Sequence, residues 1–277
     1  MSKSKKKKKQ YPFTNDIVFC VSLGEHPEIT KDVIETIIGN KIPDLTVVNA
    51  QQIKNLDLED KFVRFDVYAI DDDGTRYDIE MQTSDNHNLA KRIRYYHAVN
   101  TFGTRLLGQD YRKLPKSFVI FICSFDPFRK GDAIYKFSTM NEKYHDELDY
   151  NDGVITYILN AAADDPSISS ELQEFLNYVR TGIPAEDGLT AKLHELVKMV
   201  NDSDRWRNSM STLDEIRQDA ENKGMKKGLT LGTEIGKQEN NKKIALRMLK
   251  HGMDVNTIQT ITELPLEEVE KLKKQQN

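Results

Sequence analysis

Hydrophobic residues recur at helical spacing along most of the chain. In Pro27–Ile38 the side chains of Ile29, Val33 and Ile37 fall on one face, which predicts an amphipathic helix ended by Gly39. An earlier helix is predicted to begin at Thr14-Asn15-Asp16, because a short polar side chain before an apolar run is typical of a helix cap. A long helix with a basic first half is predicted over residues 88–107, and from residue 167 the pattern is helical almost to the end.

Strand patterns lie between these helices. Residues 45–53 and 153–159 are predicted strands, and the continuously apolar run 117–123 is typical of a strand inside a sheet. Two further strands form the hairpin described next. The resulting order, α-β-β-β-α-β with helical additions, predicts an α/β (α+β) fold around a mixed sheet.

Two alternating runs flank an acidic turn in Phe65–Gln82 and predict a β-hairpin. Asp72-Asp73-Gly74 suits a three-residue loop in which Gly74 adopts the left-handed conformation. In that register Asp66 lies opposite Glu80, and Gln82 shares their face because side chains alternate along a strand. A two-residue turn would place the two acids on opposite faces. The longer loop is favoured because it also gathers the apolar residues of both strands on one face.

Two carboxylates placed opposite each other in a hairpin repel. A shared proton, a neighbouring Arg or Lys, or a divalent cation relieves that repulsion. Carboxylate oxygens suit Mg²⁺, which also takes phosphate oxygens as ligands. The alternative is an exposed strand face on which the acids pair with Arg92 or Arg94.

The composition indicates a chain able to bury a sizeable core. Hydrophobic residues make up 38% and charged residues 30% of its 277 residues, and no apolar run approaches the length of a membrane span. The two cysteines, Cys20 and Cys123, are too few for a disulfide framework and indicate a reducing compartment. We therefore expect a cytoplasmic protein with no membrane partner.

Charge is distributed unevenly along the chain. Lys3 and Lys5–Lys9 place six positive charges in the first ten residues, so the remainder carries −10 against a total of −4. Such a block is predicted to be disordered, and it either attracts nucleic acid non-specifically or is simply a solvated tail. The acidic remainder argues against a broad DNA-coating surface, so any other contact with DNA should be local.

The C-terminal part differs from the rest of the chain in containing a regular glycine repeat. Gly224, Gly228, Gly232 and Gly236 recur every four residues. This spacing allows close approach of two helices, or it marks a weak helix or linker. The last segment, with turns at Gly252 and Pro265, resembles a helix-turn-helix outline, although its final helix begins with acidic residues that would repel phosphate.

These motifs together resemble a known family. Asp66 in FDVYA followed by Glu80-x-Gln82 resembles the PD-(D/E)XK nuclease core. The segments TNDIVF, DDDG, YDIEMQ and RIRYYHA and the glycine repeat are similar to the recombination-promoting nucleases, also described as PD-(D/E)XK nuclease family transposases. The resemblance implies a PD-(D/E)XK nuclease-like core and a metal-dependent DNA endonuclease that hydrolyses phosphodiester bonds, linked to recombination or mobile elements.

The resemblance also implies roles for individual residues. Asp66 and Glu80 would bind Mg²⁺, for which Mn²⁺ can substitute, and the Met81 carbonyl would be a third ligand. Gln82 would be the third catalytic residue, at the position where the family pattern has lysine. Glutamine offers only neutral hydrogen bonds, so a catalytically degenerate fold that binds DNA or protein is the alternative.

Residues around this core receive further roles. The basic helix would contact DNA phosphates through Lys91, Arg92 and Arg94. Tyr95 would stack on bases or pack in the core. Asp16 would assist the metal or water, or it is a helix N-terminal acid favoured by the dipole.

Four regions and two partners are predicted. The regions are a disordered basic tail (1–10), a nuclease-like core (11–165), a helical extension (166–210), and a glycine-repeat helix with a small helical element (211–277). DNA is the expected partner, together with a second copy in a homodimer formed through the C-terminal helices.

Overall fold

The computed structural model describes residues 9–50, 53–54, 63–64, 66–102, 110–144, 147–148 and 150–275. Its core is a six-stranded mixed sheet in the order β1-β4-β5-β6-β8-β7. The six strands are β1 (Leu45–Ala50), β4 (Val67–Asp71), β5 (Arg76–Gln82), β6 (Ser117–Cys123), β7 (Ile134–Ser138) and β8 (Val154–Asn160). Two short strands, β2 (Ile53–Lys54) and β3 (Val63–Arg64), pair separately. This architecture confirms the predicted α/β fold.

The helices that accompany the sheet precede it, interrupt it and follow it. They are α1 (Asp16–Gly24), α2 (Pro27–Ile38), α3 (Leu89–Phe102), α4 (Ser170–Thr181) and α5 (Gly188–Asp202). Asn15 begins α1 as predicted, because its side chain accepts hydrogen bonds from the N–H groups of Ile17 and Val18. Gly39 ends α2 in the left-handed conformation.

The hairpin adopts the predicted register. Tyr68 pairs with Asp78 and Ala69 with Tyr77 across antiparallel β4 and β5. Gly74 has φ +79° in the turn, where residues other than glycine are rarely tolerated. Asp71 fixes the turn from within, since its carboxylate accepts hydrogen bonds from the Thr75 N–H and the Tyr77 hydroxyl.

Helices cover the sheet, so β5 is buried on both faces. Residues 77–82 of this strand are all buried. Helices α1 and α2 pack on β1, and α4 and α5 pack on them in turn. Helix α3 packs on β6, where Tyr68, Ile93, Tyr96 and Phe121 form part of one apolar cluster. The acidic face of the hairpin is therefore not an exposed surface.

The sequence did not predict every element of the structure, and two predictions extend beyond its described residues. The edge strand β7 was not predicted; its burial falls off towards its end, so its hydrophobic pattern is weak. The predicted helix over residues 88–107 is described only from Leu89 to Phe102, since residues 103–109 are outside the described part of the chain. The basic tail likewise lies outside it up to residue 8.

The chain divides into two compact units, one ending at Ser209 and the other beginning at Met210. The helical extension belongs to the first unit. Asn201 in α5 exchanges hydrogen bonds with the main chain of Tyr11, at 2.8 and 2.9 Å. Phe13 packs against Phe175 and Tyr178 of α4.

The C-terminal unit is entirely helical in its described residues. One helix, α6 (Asp204–Lys250), contains the glycine repeat, and α7 (Val255–Thr262) and α8 (Leu266–Lys274) follow it. Ala245, Ile258, Leu264 and Val269 form its small core. The glycine repeat is therefore part of a continuous helix, which corrects the linker alternative. Among the described residues, no helix combines the length and the hydrophobicity needed to cross a membrane.

Candidate active site

Asp66 and Glu80 meet where β4 begins and β5 ends. The Asp66 N–H donates to Glu80 Oε1 at 3.0 Å, and the Met81 N–H donates to Asp66 Oδ2 at 3.1 Å. Each carboxylate is thus held by the main chain beside the other. Glu80 is 1% exposed, so this end of the hairpin carries a buried negative charge.

Arg92 of α3 supplies the positive charge. Its Nη2 lies 2.7 Å from Glu80 Oε2, its Nη1 donates to Gln82 Oε1 at 2.7 Å, and its Nε donates to the Tyr96 hydroxyl at 3.0 Å. The guanidinium also lies over the rings of Tyr96 and Phe121. The structure therefore pairs Glu80 with Arg92, as the alternative predicted, but on a buried face of the strand and not on an exposed one.

Gln82 is held from both ends of its amide. Its Oε1 accepts from Arg92, and its Nε2 donates to the Ser84 carbonyl at 2.5 Å. Gln82 is the last residue of β5, which runs parallel to β6. The site thus lies at the carboxyl ends of parallel strands, where open α/β sheets bind their ligands.

Asp78 is a third acid on this face that the sequence reading did not single out. It is 0% exposed, and within the described structure neither of its carboxyl oxygens has a hydrogen-bond partner. Burial and the neighbouring carboxylates of Glu80 and Asp66 raise the pKa of Asp78 well above its usual range. The protonated acid can donate to Glu80. The signal was available, because Asp78, Glu80 and Gln82 alternate in YDIEMQ.

The pKa of Glu80 is also raised. Burial and the Asp66 charge raise the pKa of Glu80 above its usual range, against the opposing effects of the Asp66 N–H and Arg92. Of this pair, Asp78 is the better place for the proton, because Glu80 alone has the guanidinium as its partner. The Glu80 charge also keeps the pKa of Arg92 raised, although burial of the guanidinium opposes it.

The remaining predicted residues are distributed around this centre. Lys91 and Arg94 are exposed on α3 and do not share the buried position of Arg92. Tyr95 is partly buried and packs against the α3 cluster. Asp16 is the first residue of α1 and is partly buried. The contact made by Met81 to the site is through its N–H, as described above.

The oxygen donors of Asp66 and Glu80 suit a hard divalent cation. The pairing of Glu80 with Arg92 shows that this carboxylate draws a positive charge to itself. Within the described ranges, however, no group of three His, Cys, Asp or Glu side chains is arranged to hold a metal ion. A cation here would therefore need main-chain or solvent oxygens as well.

A second buried polar cluster lies near the opposite ends of the parallel strands. His97 of α3 lies 2.8 Å from the Ser117 hydroxyl through Nδ1 and 2.9 Å from the Thr156 hydroxyl through Nε2. Asn100 also donates to Ser117. Burial lowers the pKa of His97 to about 4, so it is neutral at pH 7. This cluster ties α3 to the sheet.

Two family models match the chain. The model of the PD-(D/E)XK nuclease family transposase matches residues 14–223, and the model of the Rpn/YhgA-like nuclease family, C-terminal HTH domain, matches residues 238–274. The second match covers α7 and α8 and confirms the helix-turn-helix outline. Among curated proteins and among solved structures, no significant match is found. Because the first model spans most of the chain and includes the hairpin and α3, the chain belongs to the PD-(D/E)XK nuclease family transposases.

Proposed function

We propose that this protein is a divalent-cation-dependent DNA endonuclease that hydrolyses phosphodiester bonds. The observation that carries the proposal is the pair Asp66 and Glu80, joined by main-chain hydrogen bonds at a strand end. Two carboxylates held at this position bring together the hard oxygen ligands that Mg²⁺ or Mn²⁺ requires. The family match supports nuclease chemistry.

The residues of the site would have separate roles in cation binding and in orienting the nucleophile. Asp66 and Glu80, with the Met81 carbonyl, would hold the cation, which supplies water activation and stabilises charge on the phosphodiester when bound. Gln82 would orient the nucleophile through neutral hydrogen bonds.

Residues around the centre would serve the substrate. The exposed Lys91 and Arg94 would contact phosphates beside the scissile bond, as would Arg92. Asp16 and Tyr95 would act as accessory residues at the edge.

A plasmid-nicking assay with Mg²⁺ or Mn²⁺ tests the proposal. Asp66→Ala and Glu80→Ala should each abolish nicking by the purified, folded protein. Asp72→Ala is the matched control, because it removes a carboxylate from the exposed turn of the same hairpin. Full activity in either site variant would contradict the assignment of the site.

The second candidate is a nuclease fold that binds DNA or protein without cutting. It is favoured by one specific observation: Glu80 and Gln82 are already bridged by Arg92. Manganese binding measured by calorimetry separates the two. The enzyme requires Mn²⁺ binding that Asp66→Ala abolishes, whereas the binding module predicts neither Mn²⁺ binding nor nicking while DNA affinity persists.

The C-terminal unit would bind DNA or assemble protomers. Helix-turn-helix folds are widely used for DNA binding, and the family match supports that role. The first turn of α8, however, contains Glu267 and Glu268, and Glu268 pairs with Lys242 at 2.6 Å. Phosphate contact would therefore come from basic residues elsewhere in the unit.

Homodimerisation through α6 would use a face whose apolar residues are spaced symmetrically along the helix on the two sides of Thr230. Met225 and Ile235 lie at equal distances from Thr230 on its two sides, as do Leu229 and Leu231. These four side chains are 48–72% exposed, and a Cβ added to any glycine of the repeat would meet nothing within 4 Å. Two antiparallel copies would bring glycines against glycines and apolar residues against apolar residues.

A cytoplasmic location is supported by Cys20 and Cys123, which are both buried thiols.

A further inference from the structure

Arg92 donates a hydrogen bond to the Glu80 carboxylate from the side of α3. Of the two Glu80 oxygens, Oε1 accepts the Asp66 N–H and Oε2 accepts the guanidinium, with the Tyr96 hydroxyl 3.4 Å from the same Oε2. The Glu80 oxygen nearest α3, Oε2, therefore already has a positively charged partner. The guanidinium also donates hydrogen bonds to Gln82 and Tyr96, and these two contacts hold it in place beside Glu80.

A divalent cation on Glu80 would meet this guanidinium at short range. Carboxylate oxygens bind Mg²⁺ or Ca²⁺ at about 2.0–2.6 Å, and Arg92 Nη2 already lies 2.7 Å from Oε2. Two positive groups on one oxygen repel strongly in a partly buried site. One of the two partners must therefore weaken its contact when the other is present.

The two side chains differ in how easily they can move. The Arg92 side chain is 30% exposed and belongs to a helix, whereas the Glu80 side chain is 1% exposed and accepts a hydrogen bond from the Asp66 main chain. Arginine forms bidentate hydrogen bonds to phosphate as readily as to carboxylate. Arg92 is thus the group that can exchange partners.

We propose that Arg92 is the resident counter-ion of Glu80, and that it leaves Glu80 for a DNA phosphate when a divalent cation binds. The inference rests on the proposed function. Arg92 acts here as a positioning residue: it neutralises the buried acid before the cation arrives and keeps Gln82 oriented. Cation binding and phosphate binding are then coupled, and by linkage each strengthens the other.

Calorimetric titration with Mn²⁺ alone, without DNA, tests this exchange. Arg92→Gln removes the competing charge, so the dissociation constant for Mn²⁺ should fall about tenfold, equivalent to about 1.4 kcal/mol. Arg94→Gln is the matched control, because it removes the same charge from the exposed face of the same helix. Its dissociation constant for Mn²⁺ should stay within about twofold of that of the unmodified protein.

A second variant guards against misfolding of the first. Arg92→Lys keeps the charge but lacks the planar fork whose separate nitrogens reach Glu80, Gln82 and Tyr96, and it should bind Mn²⁺ with intermediate affinity. Unchanged or weaker Mn²⁺ binding in folded Arg92→Gln and Arg92→Lys would overturn the exchange while leaving the cation site intact. Absence of Mn²⁺ binding in every form, including the unmodified protein, would instead defeat the proposed function, and the exchange with it.

Discussion

Arg92 Nη1 donates a hydrogen bond to Gln82 Oε1 at 2.7 Å, and this contact determines how the Gln82 amide is oriented. The carbonyl oxygen of Gln82 faces the guanidinium, and its amide nitrogen faces the Ser84 carbonyl. A lysine at this position would have no acceptor to offer Arg92. The orientation of the glutamine amide therefore depends on the arginine.

Gln82→Lys is expected to change the nicking rate by at most about tenfold, equivalent to roughly 1.4 kcal/mol of barrier. The substitution introduces the charge common in the family pattern but also places it beside Arg92. We therefore expect the cation-free protein to lose about 1–2 kcal/mol of unfolding free energy, since a charged hydrogen bond is lost and a like charge is added. Nicking assays and urea unfolding measure the two effects.

The control for this substitution is Gln238→Lys, at an exposed position of α6. It adds the same charge away from Arg92 and should alter neither the rate nor the stability of the first unit. Unchanged stability in Gln82→Lys would show that the contact between Gln82 and Arg92 contributes little.

His97 should make the protein less stable in mild acid. Its pKa is lowered to about 4 in the folded state by burial, against about 6.5 in the unfolded chain. The unfolded state therefore takes up the proton first as the pH falls from about 6.5 to 4. Unfolding free energy should drop by up to about 3 kcal/mol over that window, and above it this contribution is fully present. Urea unfolding at a series of pH values measures it.

His97→Gln keeps a polar side chain near Ser117 and Thr156 but cannot titrate. It should be less stable than the unmodified protein at pH 7, and the difference should shrink towards pH 4. His87→Gln, at an exposed position, is the control and should show no such convergence. A constant difference for His97→Gln across the window would refute this role for the buried imidazole.

The α6 glycines should distinguish a solvent-exposed helix from an interface. Replacing both Gly228 and Gly232 with alanine should stabilise the isolated helix by about 1 kcal/mol per site, because the added methyl groups meet nothing within 4 Å. The same methyl groups should separate two closely packed copies and weaken a homodimer. Sedimentation at several concentrations and thermal unfolding measure both effects.

The matched control is Ser211→Ala with Ser209→Ala, which changes small residues of α6 outside the repeat and should leave association unchanged. A double glycine variant that self-associates as strongly as the unmodified protein would exclude the glycine face as the interface.

Deleting residues 2–9 should weaken DNA affinity modestly at low salt and leave the cleavage chemistry unchanged. The lysine block acts only through phosphate attraction, which salt screens. Binding isotherms at several salt concentrations and single-turnover cleavage at saturating DNA measure the two parts. An abolished cleavage rate would place the tail in the active site.

Local chemistry determined the hairpin, and the sequence was sufficient to predict it. Gly74 accepts a positive φ at little cost, and Asp71 accepts hydrogen bonds from residues four and six positions further along the chain. Turn geometry fixes strand register, and register fixes which side chains share a face. The proximity of Asp66 to Glu80 follows from the turn geometry and the strand register. The helix cap at Asn15 and the glycine stop at Gly39 are local in the same way.

Only the tertiary structure decided what faces those acids. The sequence predicted that a shared proton, an Arg or Lys, or a divalent cation would relieve the repulsion between the acids. It named Arg92 and Arg94 as their candidate partners without deciding which one reaches them, and Asp78 was not singled out. The approach of α3 to β5 and β6 places the guanidinium of Arg92 on Glu80 and Gln82 and leaves Arg94 in solvent. The same packing removes Asp78 from water. Alternation along a strand determines which side chains share a face, whereas the burial and charge partner of each depend on an element remote in sequence.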